Sequence, residues 1–98
     1  MNRNLDVRIQ GDSMWPTFTH GQMLTFQETD SQTTFEVGDV VLALHPLKID
    51  VLMVKRIHRI EPDGRLFLTG DQPDPTSSED SHNFGPVAVS NVRARWTG

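Results

Sequence analysis

VLMVKRIHRI, residues 51–60, is the longest stretch of the chain with the composition of a β-strand. Side chains alternate between the two faces of a strand, so Lys55 shares a face with apolar neighbours while Arg56 lies on the opposite face. Residues 62–64, Pro-Asp-Gly, have the composition of a tight turn, and the apolar residues 66–68 then form the partner strand. The stretch therefore predicts one arm of a β-hairpin.

The rest of the chain predicts more short strands, and no stretch has a helical period of useful length. These strands are residues 7–10, 23–26 and 40–44, and residues 87–92 and 93–96 form one or two closing strands. Residues 70–83 are polar and contain two prolines, which is typical of a long loop. The predicted fold class is mainly β, either a small coiled sheet or a partly open barrel.

Composition limits the function. A chain of 98 residues is long enough for one core, so we expect residues 1–98 to form a single domain. The net charge is −4 and the basic residues are scattered, so nucleic acid is not an expected partner. There is no cysteine, and the four histidines lack metal-ligand spacing, so no metal or cofactor is expected. No stretch has the roughly 18 apolar residues of a membrane span, which predicts a cytoplasmic protein.

A candidate nucleophile lies in GDSMWPT, residues 11–17, where a glycine and a proline frame Ser13 in a turn. A serine hydroxyl needs a base to remove its proton, and a lysine is such a base only when its amine is neutral. Lys55 lies in an apolar stretch beside Arg56, and burial and nearby positive charge both favour the neutral amine. Local pattern alone, however, favours a solvated turn for Ser13 and an exposed edge-strand position for Lys55. The other lysine, Lys48, lies in a turn and is expected to be solvated.

Five short motifs in a fixed order favour the catalytic interpretation. They are Gly-Asp-Ser-Met-x-Pro from Gly11, Gly38-Asp39-Val40-Val41, Val54-Lys55-Arg56, Gly70-Asp71, and Ser78-Glu79-Asp80-Ser81 followed by Phe84-Gly85-Pro86-Val87. This succession resembles the type I signal peptidase family of serine proteases, over residues 11 to 96. The resemblance implies that Ser13 attacks the scissile carbonyl and that Lys55 is the general base.

The resemblance also implies supporting residues. Ser78 would hold the lysine amine by a hydrogen bond, and Arg56 and Asp71 would form a salt bridge. Backbone donors at Ser13 and Gly11 would bind the oxyanion, because Gly11 replaces a serine that some family members use. The remaining implied residues are Asp80 and Ser81 as structural members of the last motif, and Met14 and Trp15 at the border of the substrate cleft.

The chain also departs from the family pattern. His82 stands where arginine is common and is expected to pair with Asp80, and Gln72 replaces an asparagine. Neither a membrane anchor nor a second β-domain is expected. A minimal chain with Gly-Asp-Ser-Met-x-Pro, Val-Lys-Arg and Phe-Gly-Pro-Val resembles the proteases that mature nickel-type superoxide dismutase. That likeness implies a protein partner, the dismutase precursor, from which an N-terminal extension is removed. The alternatives are a self-cleaving regulator domain of the LexA type and a non-catalytic β-module that binds a peptide by edge pairing.

Overall fold

The computed structural model describes residues 3–74, 76 and 79–98. The strands are β1 (Asn4–Arg8), β2 (Met23–Glu28), β3 (Val40–Leu44), β4 (Leu52–Ile60), β5 (Leu66–Thr69) and β6 (Val92–Trp96). They form one six-stranded sheet in the order β1-β2-β6-β3-β4-β5, with antiparallel pairing throughout. The predicted mainly β fold is therefore confirmed.

The strand boundaries differ from the prediction where the strands are polar. β1 begins at Asn4 rather than at residue 7, because its pairing with β2 uses the backbone of exposed polar residues as well as apolar ones. Residues 87–91 do not form a strand: Val87 makes an isolated bridge to Leu66, and a 3₁₀ turn, Val89–Asn91, follows, so that a single closing strand begins at Val92. A one-turn helix, α1 (Ser81–Phe84), interrupts the predicted loop. With four residues in α1, the described part of the chain contains no helix that could cross a bilayer.

Two apolar clusters lie on opposite faces of the sheet. The first consists of Ile9, Met14, Phe18, Phe26, Val40, Leu42 and Ala94. The second consists of Val41, Ala43, Ile57, Leu66, Leu68, Val87 and Val92. Successive residues of β3 alternate between the two clusters, so β3 is buried on both faces, and this explains why its sequence is continuously apolar.

The first half of β4 has one unpaired edge. β3 pairs with β4 from Leu52 to Arg56, whereas β5 pairs with β4 from Arg56 to Ile60. Within the described ranges, the side of residues 52–54 that faces away from β3 therefore has no partner strand. β1 is the outermost strand at the other end of the sheet, so its outer edge also lacks a partner strand among the residues that the structure describes.

Candidate active site

Ser13 lies in the loop between β1 and β2, which we call the serine loop (residues 9–22). Its carbonyl accepts a hydrogen bond from the Gln72 N–H at 3.0 Å, and the Gln72 side-chain amide donates to the Asp12 carbonyl at 3.2 Å. The backbone of Gly70 lies so close that a Cβ atom at that position would overlap the Ser13 carbonyl oxygen. The segment that follows β5 thus fixes the backbone of Ser13.

Neighbouring residues of the serine loop have different environments. Met14 is buried in the first apolar cluster, whereas Trp15 is 46% exposed. Gly11 has a φ of +79°, a conformation that glycine adopts without strain, and its N–H donates to His20 Nδ1 at 2.9 Å. A role for the Gly11 N–H as an oxyanion donor would require this hydrogen bond to open.

Arg56 and Asp71 form a bidentate ion pair. Arg56 Nε donates to Asp71 Oδ1 at 2.9 Å and Nη2 donates to Oδ2 at 2.8 Å, while the Thr17 hydroxyl donates to the same Oδ2 at 2.6 Å. The hydrogen bond from Arg56 is the main cause that lowers the pKa of the Asp71 carboxyl. Because Arg56 follows Lys55 on β4 and Thr17 belongs to the serine loop, Asp71 ties that loop to the strand of the lysine.

Lys55 is buried, with 3% of its surface exposed. It pairs with Val41 on β3 and shares its face of β4 with Ile57, and both neighbours belong to the second apolar cluster. Burial lowers the pKa of the Lys55 amine, and it outweighs the opposite effects of the Asp80 and Glu79 charges. The neutral amine is therefore easier to form here than in water.

The last motif lies at the start of α1. Ser78 is outside the described residues. Asp80 accepts a hydrogen bond from the His82 N–H at 2.8 Å, and its Oδ1 lies 2.9 Å from His82 Nδ1. The buried hydroxyl oxygen of Ser81 accepts a hydrogen bond from the Leu68 N–H at 2.8 Å. Asp80 thus caps the helix, and Ser81 fastens it to β5.

A groove of about 560 Å³ runs between β1 and the first half of β4. Residues 5–10 form one wall and residues 52–54 form the other, and Ser13, Met14 and Leu42 also line it. Both walls include unpaired strand edges, so an extended peptide could form backbone hydrogen bonds with them. The candidate nucleophile therefore lies in a groove suited to an extended chain.

The histidines make local contacts. These are His20 Nδ1 with the Gly11 N–H, His45 Nδ1 with the Leu47 N–H, His82 Nδ1 with Asp80, and the His58 ring with the Phe67 ring. In the part of the chain that the structure describes, no three histidine, aspartate or glutamate side chains are grouped to bind a metal ion.

Several contacts around the site were not predicted. Thr17 and Gln72 hold the serine loop, and Lys48 pairs with Glu79, whose charge acts on Lys55, while His45 lies 3.8 Å from the same carboxylate. Single polar residues in turns are common in any protein, so local sequence carried no signal for these contacts. The long-range pairing of the turns brings them to the site.

A family model described as Peptidase S24-like matches residues 4–83. The matched range contains β1 to β5, the serine loop and the ion pair of Arg56 with Asp71. No curated protein sequence matches the chain significantly.

Proposed function

The chain belongs to the Peptidase S24-like family, and we propose that it is a serine endopeptidase with Ser13 as nucleophile and Lys55 as general base. The burial of Lys55 is the observation that carries the proposal. A buried ammonium loses hydration that water would provide, which favours the neutral amine required of a base. A lysine with only a structural role on a strand edge would be expected to keep its ammonium group in water.

In the proposed reaction, the Ser13 hydroxyl transfers its proton to the Lys55 amine as its oxygen attacks the scissile carbonyl. The Lys55 ammonium then protonates the leaving amine, and the acyl-enzyme remains on Ser13. Lys55, neutral again, removes a proton from the water that attacks the ester. The Lys55 ammonium then gives this proton to the Ser13 oxygen as the ester C–O bond breaks, which releases the acid and restores the hydroxyl. The Ser13 N–H would stabilise the oxyanion, and Ser78 keeps the role that the signal peptidase resemblance implies for it, orienting the lysine amine.

The groove between β1 and β4 suits an extended segment of a protein substrate. Its unpaired backbone edges would hold the substrate main chain, and apolar side chains such as Leu42 and Val54 would contact the substrate side chains. The resemblance to nickel-type superoxide dismutase maturation proteases supports the substrate that we propose, the N-terminal extension of a nickel superoxide dismutase precursor.

The test is mass spectrometry of this precursor after incubation with the wild-type chain, Ser13→Ala and Lys55→Met, a variant that keeps the buried volume. We expect one cut just before the metal-binding histidine, with the rate reduced by at least about 10³-fold in both variants. Lys48→Ala is the matched control, because Lys48 is 55% exposed at its side chain, and it should lose no more than about fivefold in rate.

A library of unstructured peptides, incubated in parallel, separates the parts of the proposal. Cleavage of the library but not of the precursor would overturn the substrate and leave the dyad. Cleavage that persists in Ser13→Ala and Lys55→Met would overturn the dyad. Fragments of the chain itself, formed at a rate independent of protein concentration, would point to a self-cleaving domain. Peptide binding without products would point to a binding module.

A further inference from the structure

The turn between β3 and β4 brings two basic side chains, Lys48 and His45, close to the Glu79 carboxylate. Lys48 Nζ lies 2.6 Å from Glu79 Oε1, and His45 Nε2 lies 3.8 Å from the same oxygen. His45 Nδ1 accepts a hydrogen bond from the Leu47 N–H at 3.0 Å, so the neutral ring carries its proton on Nε2. His45 is 8% exposed, and its Nε2 has no hydrogen-bond partner among the described residues.

The segment that carries Glu79 lies over the lysine face of β4. Ser81 is bonded to the Leu68 N–H, and Leu68 pairs with Ile57, which shares a face with Lys55. Glu79 precedes Ser81 by two residues and is therefore held near that face. Lys48 and His45, which both lie near the Glu79 carboxylate, belong to the turn that precedes β4.

We propose that Lys48 and His45 are positioning residues, which clamp the Glu79 carboxylate and limit how strongly its charge stabilises the ammonium form of Lys55. This inference rests on the proposed role of Lys55 as the base. An unclamped carboxylate could approach the amine and would keep it protonated.

The charges near Lys55 agree with the proposed role of Lys48 and His45. Asp80 and, to a smaller extent, Glu79 raise the pKa of Lys55 against the effect of burial. The hydrogen bond from Lys48 lowers the pKa of Glu79, so the clamped carboxyl stays ionised at neutral pH. The other charged neighbour, Asp80, is bonded to His82 rather than to the clamp. Lys48 and His45 therefore act on Lys55 through Glu79.

The proposal predicts effects of opposite sign. Lys48→Gln releases Glu79 and removes a compensating cation, so Lys55 should titrate at higher pH. Glu79→Gln removes the carboxylate charge, so Lys55 should titrate at lower pH. Damage to the local structure would slow the reaction in both variants without moving the titration in opposite directions.

The chain has only two lysines, which allows a direct measurement. In protein labelled with ¹³Cε-lysine, the NMR titration of Lys55 can be followed in each variant, and Lys48→Gln leaves Lys55 as the single lysine signal.

Arg65→Gln is the control, because it also removes a cation from an exposed ion pair, with Asp63 at 2.8 Å. The Lys55 titration should be unchanged in this variant. In the Glu79→Gln background, Lys48→Gln should shift the Lys55 titration much less than it does in the wild-type protein. An equal effect in both backgrounds would overturn the clamp, because Lys48 would then act directly.

His45 is tested by a matched pair of variants. His45→Phe keeps a ring against Phe84, whose centroid lies 4.8 Å away, but removes the donor, whereas His45→Gln keeps an N–H donor. Lys55 should titrate at higher pH in His45→Phe and near its wild-type position in His45→Gln. Identical titrations in wild type and His45→Phe would remove His45 from the clamp.

The pH dependence of kcat/KM in the same variants separates this inference from the proposed function. At pH values below the pKa of Lys55, kcat/KM should be lower than wild type in Lys48→Gln and higher in Glu79→Gln. Each change should be about twofold to fivefold, as expected for screened charges. If the NMR titrations shift and the pH profile does not follow, Lys55 is not the base and the clamp stands. If the titrations do not shift, the clamp is wrong, whatever the Ser13 and Lys55 variants show.

Discussion

Gly70→Ala tests whether the backbone contact at Gly70 positions Ser13, the proposed nucleophile. The added Cβ would overlap the Ser13 carbonyl oxygen, so the serine loop must move away from β5. Overpacking a well-packed site costs about 1–3 kcal/mol, and each kcal/mol lowers the Tm of a domain of this size by roughly 4–8 °C. The shift would also weaken the 3.0 Å hydrogen bond between the Gln72 N–H and the Ser13 carbonyl, a bond worth about 1 kcal/mol.

The effect on activity should be larger than the effect on stability. Displacing a nucleophile by about 1 Å costs on the order of 10²-fold in rate, so we expect that loss in kcat/KM, measured well below the Tm. Gly64→Ala is the control, since Gly64 has a φ of +91° and open space around its Cβ position, so alanine adds strain of about 1–2 kcal/mol without a clash near Ser13. Wild-type kcat/KM in Gly70→Ala, or an equal loss in Gly64→Ala, would refute the positioning argument.

Two further substitutions test the supporting contacts. Asp71→Asn should lower the free energy of unfolding by about 1–3 kcal/mol at neutral pH, because it removes the charged partner of Arg56. The Arg56 hydrogen bond lowers the pKa of Asp71, so this contribution is complete above the unfolded-state value of about 3.9 and is lost as pH falls through the folded-state pKa. Urea unfolding at neutral and acidic pH checks this, and a difference that persisted in strong acid would contradict it. Ser81→Ala should cost about 1–3 kcal/mol by leaving the Leu68 N–H without its acceptor, while Ser90→Ala, at an exposed position, should stay within about 0.5 kcal/mol of wild type by the same assay.

The sequence predicted the elements of the sheet better than their arrangement. The predicted limits of β3, residues 40–44, match the observed ones. Burial on both faces leaves a continuous apolar run between Gly38-Asp39 and His45-Pro46. The position of β6 between β2 and β3 could not be predicted, because it depends on pairs such as Phe26 with Trp96, which no local pattern encodes. α1 was missed because four residues are too few to show a helical period.

One contact of the candidate site lies within the short motifs. The family resemblance implied a salt bridge between Arg56 and Asp71, and the structure contains that ion pair. Local pattern favoured an exposed Lys55, because a lysine among alternating apolar residues occurs on exposed edges as well as inside; packing against the second apolar cluster decided its burial. The contacts of Glu79 could not be predicted, because its partners lie in a turn about thirty residues earlier in the chain.

The place of β6 in the sheet has a consequence for the synthesis of this protein. β1 and β2 carry one wall of the groove, β3 to β5 carry the other, and the sheet joins these two parts through β6, the last strand in chain order. A domain whose central strand is made last completes its sheet only after that strand has left the ribosome. Nascent chains arrested before residue 92 are therefore expected to cleave nothing, whereas released full-length chains are active in the same assay. The order of the strands would thus keep the proposed protease latent until β6 has left the ribosome.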